Sequence, residues 1–357
     1  MLLQNATVAG VVLTPPDQIC AVVVLAAAAW CLLASWVTKT HSHVDRLWSI
    51  TPVVYVLVYA LYDVVANGAK ALDARLALMA TLVLLWGARL SYNFARKGGY
   101  SAGEQDYRWP VLQKLPVLRP PIAWQLFNLS FIASYQNVLL FLIAAPTSYV
   151  SRAATVTLPS RRVTRPPLNA LDLIATCLFQ SFWILESVAD QQQWEFQQSK
   201  HRARGHPRIA ALEEDYRRGF LTSGLFRLSR HPNFFAEQAL WCSFYLFSVA
   251  ASCQSPTEVA ALFRAPVDWR AWVNWSATGA ALLVALFQGS TPFTESITRG
   301  KYASYAAYQK TTSRLVPWFP ARGKQISSTG AAATGTVITA TGERKSTRAR
   351  KPRKLED

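Results

Sequence analysis

Cys20-Ala21-Val22-Val23-Val24-Leu25-Ala26-Ala27-Ala28-Ala29-Trp30-Cys31-Leu32-Leu33-Ala34-Ser35-Trp36-Val37-Thr38 runs without a single charge. A helix needs about 20 mostly apolar residues to cross the hydrocarbon of a bilayer, and this run meets that length. Gln125 to Ala145 and Ala271 to Gly289 are similar. Four further runs carry one or two ionisable residues each: Trp48 to Ala66, Leu76 to Phe94, Leu171 to Ala189 and Pro232 to Ser252. The expectation is an all-α, polytopic membrane bundle of about seven transmembrane helices over residues 20–320. Composition agrees, because only 16% of residues are charged against roughly 25% in soluble domains, and mean hydropathy is +0.14.

The first run is too long for a signal peptide and follows an acidic flank at Asp17, so it reads as a retained helix. Lys and Arg concentrate in segments 95–124 and 190–231 and after residue 290. The excess of basic residues on the cytosolic side then places residues 1–19 in the lumen and the C-terminus in the cytosol. Loop 147–167, with Arg152, Arg161, Arg162 and Arg165, runs against that rule. The sequon Asn5-Ala6-Thr7 agrees with a lumenal N-terminus.

The net charge of +17 suggests anionic partners. Much of it lies in the Gly, Ser, Thr and Ala rich segment 321–357, which reads as a disordered basic tail touching anionic lipid headgroups. Nucleic acid is not expected. The five cysteines, Cys20, Cys31, Cys177, Cys242 and Cys253, form no CxxC pair and read as buried free thiols. His41 and His43 make only an H-x-H string, so no metal site is expected.

Polar side chains inside apolar runs mark candidate sites, because their desolvation is costly unless they face a bundle interior or a cavity. Arg89, Asn93 and Arg96 share one helical face at i, i+4 and i+7, as do Glu186, Asp190 and Gln193. Asn233 and Glu237 lie one turn apart, and Gln288 and Glu295 flank the end of the last run. All four stripes fall at one membrane face. Interfacial caps and snorkelling arms are the plainer reading; convergence from four helices favours a site.

The string from Gly224 to Glu237 has the chemistry to hold an anionic cofactor. Arg227 and Arg230 can pair with phosphates, Pro232 suits a first helical turn, and His231 can bind phosphate or donate a proton. Tyr302, Tyr305 and Tyr308 repeat at i, i+3 and i+6, either as an interfacial anchor or as a lid over a nucleotide. Glu104, Asp106, Tyr107, Arg108 and Trp109 form a mixed-charge loop string. The chain lacks GxGxxG and GxxxxGK[ST], so any dinucleotide has to be held by helix ends and loops.

Arg89-Leu90-x-x-Asn93, Gly98-Gly99, Asp106-Tyr107-Arg108-Trp109, Ser229-Arg230-His231-Pro232-Asn233-Phe234-Phe235-x-Glu237 and the stretch Tyr308 to Pro317 together resemble an uncharacterised membrane family related to steroid 5-alpha-reductases. More distant likenesses are to sterol reductases and isoprenylcysteine carboxyl methyltransferases. The resemblance runs from about Asp45 to Pro320. It implies residence in the endoplasmic reticulum and NADPH bound from the cytosol. The implied reaction is reduction of a conjugated C=C bond, oxidoreductase chemistry on a CH–CH group, in a steroid-like or other lipid substrate. Asn233, Glu237, Tyr302 or Tyr308, and Arg314 match its cofactor residues, and Tyr92 is the position nearest its carbonyl-polarising tyrosine. Together with the polar stripes, these make Asn93, Arg96, Asp190, Arg227, Arg230, His231, Asn233, Glu237, Tyr302, Tyr305, Tyr308 and Arg314 the expected cofactor residues, with Tyr92 and His231 as catalytic candidates. Two rivals stand beside the reductase: an S-adenosylmethionine-dependent methyltransferase of the isoprenylcysteine type, and a non-catalytic sterol or lipid receptor. The cluster of arginines at 227, 230 and 314 favours a phosphate-bearing dinucleotide over the cationic S-adenosylmethionine.

Overall fold

The first long helix, α1, spans Pro15–Thr38 and opens on a reciprocal cap, in which Thr14 backbone N–H donates to the Asp17 carboxylate at 2.7 Å. In this computed structural model residues 4–8, 11–69, 71–153, 166–201, 209–253, 255–264 and 266–321 are described. Ahead of α1, Ala6–Val8 pairs antiparallel with Val11–Leu13. α2 spans Thr51–Asn67 after a short turn of helix at His43–Leu47, and α3 spans Ala74–Arg96, capped by Asp73. α4 runs from Pro121 to Ile143 and includes a π-helical stretch, Asn128–Tyr135. α5 is the shorter Ala145–Ala153. α6, Ala170–Lys200, is capped by Asn169; α7, Pro232–Ser252, starts with proline at its first position.

Six segments among the described residues are long and apolar enough to cross a membrane: Pro15–Thr38, His43–Ala66, Ala74–Arg96, Pro121–Ile143, Ala170–Lys200 and Pro232–Ser252. The chain is thus a mostly helical, integral membrane bundle. The seventh apolar run is helical too, but shifted. Asn274 caps a short turn at Trp275–Ala277, and α8 then extends over Thr278–Lys301. Its first half is apolar, whereas Gln288, Ser290, Thr291, Pro292 and Glu295 make its second half polar. α9, Tyr305–Thr311, closes the described fold. The basic tail lies outside the described residues.

The core is aromatic: Trp86, Phe179, Trp241, Phe244 and Phe247 are fully buried where α3, α6 and α7 meet. Apolar side chains such as Trp30, Leu33 and Val37 on α1, and Ile184 and Val188 on α6, point outward, as suits a lipid-facing surface. Gly279 lets α8 cross α4 with backbones touching, because a Cβ there would lie 2.0 Å from the Leu142 carbonyl oxygen. At the face opposite the polar stripes, Asp17 accepts from Tyr59 (2.8 Å), Ser148 (2.9 Å) and Arg152 (2.6 Å), and Arg75 pairs with Asp172 at 2.7 Å. All five cysteines are free; Cys20, Cys31 and Cys253 are buried, whereas Cys177 and Cys242, contrary to the sequence reading, face outward because α6 and α7 turn them from the packed side.

Candidate active site

The i, i+4 stripes of α3, α6 and α7 meet. Arg89 on α3 places its guanidinium 2.7 Å from Glu186 and 3.0 Å from Asp190, both on α6. Asp190 also accepts from Asn93 (2.9 Å) and from Asn233 at the start of α7 (3.1 Å). One turn further along α7, Glu237 accepts from the indoles of Trp86 (2.9 Å) and Trp241 (3.0 Å). Two buried carboxylates therefore pair with one guanidinium, and Glu237 adds a third buried carboxylate where the same helices meet. Burying charge is tolerable only where hydrogen bonds replace water, and Asp190 and Glu237 have them on both oxygens. Glu186 Oε2 is buried without a hydrogen-bond partner among the described residues.

Glu295, on the polar half of α8, organises a second cluster. Arg230 meets it with two prongs, at 2.5 and 3.1 Å, His231 Nε2 donates to it at 3.1 Å, Gln309 at 2.9 Å and Tyr305 at 3.2 Å. Burial opposes ionisation of Glu295, but the hydrogen bonds from His231, Arg230 and Gln309 outweigh it and hold the carboxyl well below the usual range. Arg230 also donates to the Gln309 carbonyl at 3.0 Å and to that of Thr312, while Ser229 donates to the Leu315 carbonyl at 2.6 Å. The Ser-Arg-His string thus clamps α9 and the segment after it onto the bundle.

The three tyrosines gather about Phe220, with ring centroids 5.8, 5.0 and 5.6 Å away for Tyr302, Tyr305 and Tyr308. Tyr308 donates to the Phe226 carbonyl. Burial pushes the phenols of Tyr305 and Tyr308 up, so both remain donors at neutral pH. Lys200 donates to Tyr302 at 2.8 Å and to the Gly219 carbonyl at 2.7 Å. Gly219 sits at φ +88°, and a Cβ there would lie 2.3 Å from the Tyr302 ring, so only glycine fits. On the other side, Arg46 holds the loop after α3 by donating to the carbonyls of Gly99 (3.3 Å), Ser101 (3.0 Å) and Glu104 (3.3 Å), while Trp109 donates to Asp45 at 3.1 Å.

Residues of both clusters, the tyrosines and this loop line one cavity of about 1330 Å³. One wall is polar, with Asn93, Glu186, Asp190, Arg230, His231, Asn233 and Glu237. The other is apolar, with Trp48, Leu90, Phe127, Phe131, Phe287 and Phe293. Lys97, Lys200 and Lys301 also line it, and among the described residues none of the three is in an ion pair.

Nine expected site residues come together on this cavity: Asn93, Asp190, Arg230, His231, Asn233, Glu237, Tyr302, Tyr305 and Tyr308. Four do not. Tyr92 is 64% exposed and follows Asn93's neighbouring direction off the helix, about 100° away from the cavity. Arg96 lies over the rings of Tyr92 and Trp194 and donates to Gln191. Arg227 is exposed, and Arg314 donates to Gln288 at 2.5 Å. Glu186 and Glu295 belong to the polar stripes read from the sequence but not to the expected cofactor residues; Glu186 lines the cavity, and Glu295 engages Arg230 and His231. Lys97, Lys200 and Lys301 are not among the expected cofactor residues either: Lys301 adjoins the tyrosine repeat, whereas Lys97 and Lys200, at helix ends, carried no signal.

A family model described as "Protein of unknown function (DUF1295)" matches residues 30–312. A protein of Schizosaccharomyces pombe described as "Uncharacterized protein C594.04c" is 38% identical over 288 residues, covering 78% of this chain and 73% of the yeast protein. No solved structure matches.

Proposed function

We propose, because this chain belongs to the DUF1295 family, that it is a membrane-embedded NADPH-dependent reductase of a conjugated C=C–C=O group in a steroid-like or other lipid substrate, and that the family is kin to the steroid 5-alpha-reductases. The observation that carries this reading is a single cavity with a polar wall and an aromatic wall. At about 1330 Å³ it exceeds the roughly 300–1,000 Å³ typical of a site for one drug-sized ligand, so a dinucleotide and an apolar partner fit side by side.

The residues present suit the cofactor. Lys97, Lys200 and Lys301 offer charge to phosphates. Asn93, Asp190, Asn233 and Glu237 offer amides and carboxylates to ribose hydroxyls or a carboxamide, and Tyr302, Tyr305 and Tyr308 offer an aromatic surface. When bound, NADPH supplies the hydride. The chain's own part is to orient, exclude water and move a proton. Glu186 lines the cavity, and its Oε2, buried with no hydrogen-bond partner among the described residues, is the carboxyl oxygen left to hold and pass that proton. Arg230 and His231 act differently from the sequence expectation: both are engaged with Glu295 and hold the cavity's C-terminal wall. The same reading puts the protein in the endoplasmic reticulum, N-terminus lumenal, C-terminus cytosolic, with the basic tail against anionic headgroups.

One observation favours a second reading, methyl transfer from S-adenosylmethionine. Glu186, Asp190 and Glu237 line the cavity together, with a single guanidinium paired to the first two, and an acidic wall attracts a cationic ligand. Thermal unfolding of the purified, detergent-solubilised chain with NADPH, NADH or S-adenosylmethionine separates the two, with Glu237→Ala and Lys301→Ala as controls. Stabilisation by NADPH that shrinks in both variants supports the reductase. Stabilisation by S-adenosylmethionine alone overturns it, and no response to any of the three leaves a lipid-binding receptor.

A further inference from the structure

The π-helical stretch of α4, Asn128–Tyr135, sits on the apolar side of the cavity. Such wide turns are rare and cluster at functional sites. Here the widening brings residues four apart nearly into line. Phe127 and Phe131 stack at 5.0 Å and 20°, and Phe131 and Tyr135 at 5.4 Å and 11°. The three rings form a continuous aromatic rail along the cavity.

The α-helix resumes at Gln136, which also lines the cavity. Gln136 is 4% exposed, and its Nε2 is buried with no hydrogen-bond partner among the described residues. The other two amides of this segment use their donors inside the protein: Asn128 Nδ2 donates to Ser35 Oγ at 2.8 Å, and Asn137 Nδ2 to the Ala133 carbonyl at 2.7 Å. A buried donor left unmade is costly, more so where no water can reach it. Gln136 therefore carries an unsatisfied buried donor at the end of an apolar rail.

We propose that Gln136 is the specificity-determining residue of the apolar compartment, donating from Nε2 to the one accepting oxygen of an elongated, rigid hydrophobic ligand, a ketone or other carbonyl compound. For the reaction this rests on the reductase reading; for binding it does not. The geometry gives the ligand one orientation: apolar body along Phe127, Phe131 and Tyr135, oxygen at Gln136.

The test uses the full-length, detergent-solubilised protein without any cofactor. The probes are a dimethylaminonaphthalene bearing a propionyl group, whose emission moves to the red when its carbonyl accepts a hydrogen bond, and its counterpart bearing a propyl group. Excitation through the protein's tryptophans selects bound probe. The ketone is expected to bind the wild type more tightly than the counterpart. Gln136→Leu should weaken the ketone about tenfold, shift its bound emission to the blue, and leave the counterpart unchanged, which also shows that the variant is folded. Gln136→Asn, which keeps the amide one methylene short, should lose part of the preference. No preference for the ketone in the wild type, or a preference and emission that survive Gln136→Leu, overturns the proposal. Because no turnover is measured, either result stands whether or not the protein proves to be a reductase.

Discussion

Arg230 and Glu295 stand 65 residues apart and form a two-pronged, buried ion pair, 2.5 and 3.1 Å long. The pair joins the start of α7 to the polar half of α8, and through the Gln309 and Thr312 carbonyls it holds the segment that completes the cavity. An arginine that reads as a free phosphate ligand is thereby already committed.

Removing one partner of such a pair strands a buried charge, which costs about 3–5 kcal/mol. Arg230→Ala should therefore lower the thermal unfolding midpoint markedly and expose the chain after Lys301 to protease. Unchanged protease sensitivity there would contradict the clamp.

The pH dependence of the same pair has a definite sign. The folded Glu295 carboxyl is held low, so its contribution is fully present above the unfolded value of about 4.3 and is lost as pH falls through the folded one. Glu295→Gln should flatten the acid side of the stability profile, measured by thermal unfolding from neutral pH downward, while being less stable than wild type near pH 7.

If Glu186 passes the proton, Glu186→Gln should cut turnover of an enone by roughly 100-fold or more, with the NADPH-induced thermal shift retained. Equal loss of binding and turnover would assign it to cofactor contact instead.

Tyr92→Phe is expected to leave turnover within about twofold of wild type, well under the roughly tenfold that 1.4 kcal/mol represents, since the phenol points away from the cavity. A steady-state assay decides this, and a large loss would restore the role that family resemblance suggests.

Much of the fold was legible because hydrocarbon imposes a length. The uncharged runs at Cys20 and Gln125 became helices close to their expected ends, and the stripes Arg89/Asn93, Glu186/Asp190 and Asn233/Glu237 met because helical spacing fixes a face before any partner is known. Other features left no mark in the apolar runs. α6 continues eleven residues beyond Ala189, to Lys200, through polar residues that propagate a helix well but do not extend an apolar run. The π-helical stretch contains no proline or glycine to announce it. Whether an arginine is free or committed is settled by a glutamate on another helix, which local spacing does not reveal.

The clamp around Glu295 also has a consequence for biosynthesis. Chains are made from the N-terminus, so Arg230 is inserted well before Glu295, Tyr305 and the Thr312 carbonyl exist to receive it. Until the last described segment emerges, the nascent protein carries an unmatched guanidinium beside an open chamber. A message cut short before codon 295 would leave it in that state, a form suited to capture by membrane quality control.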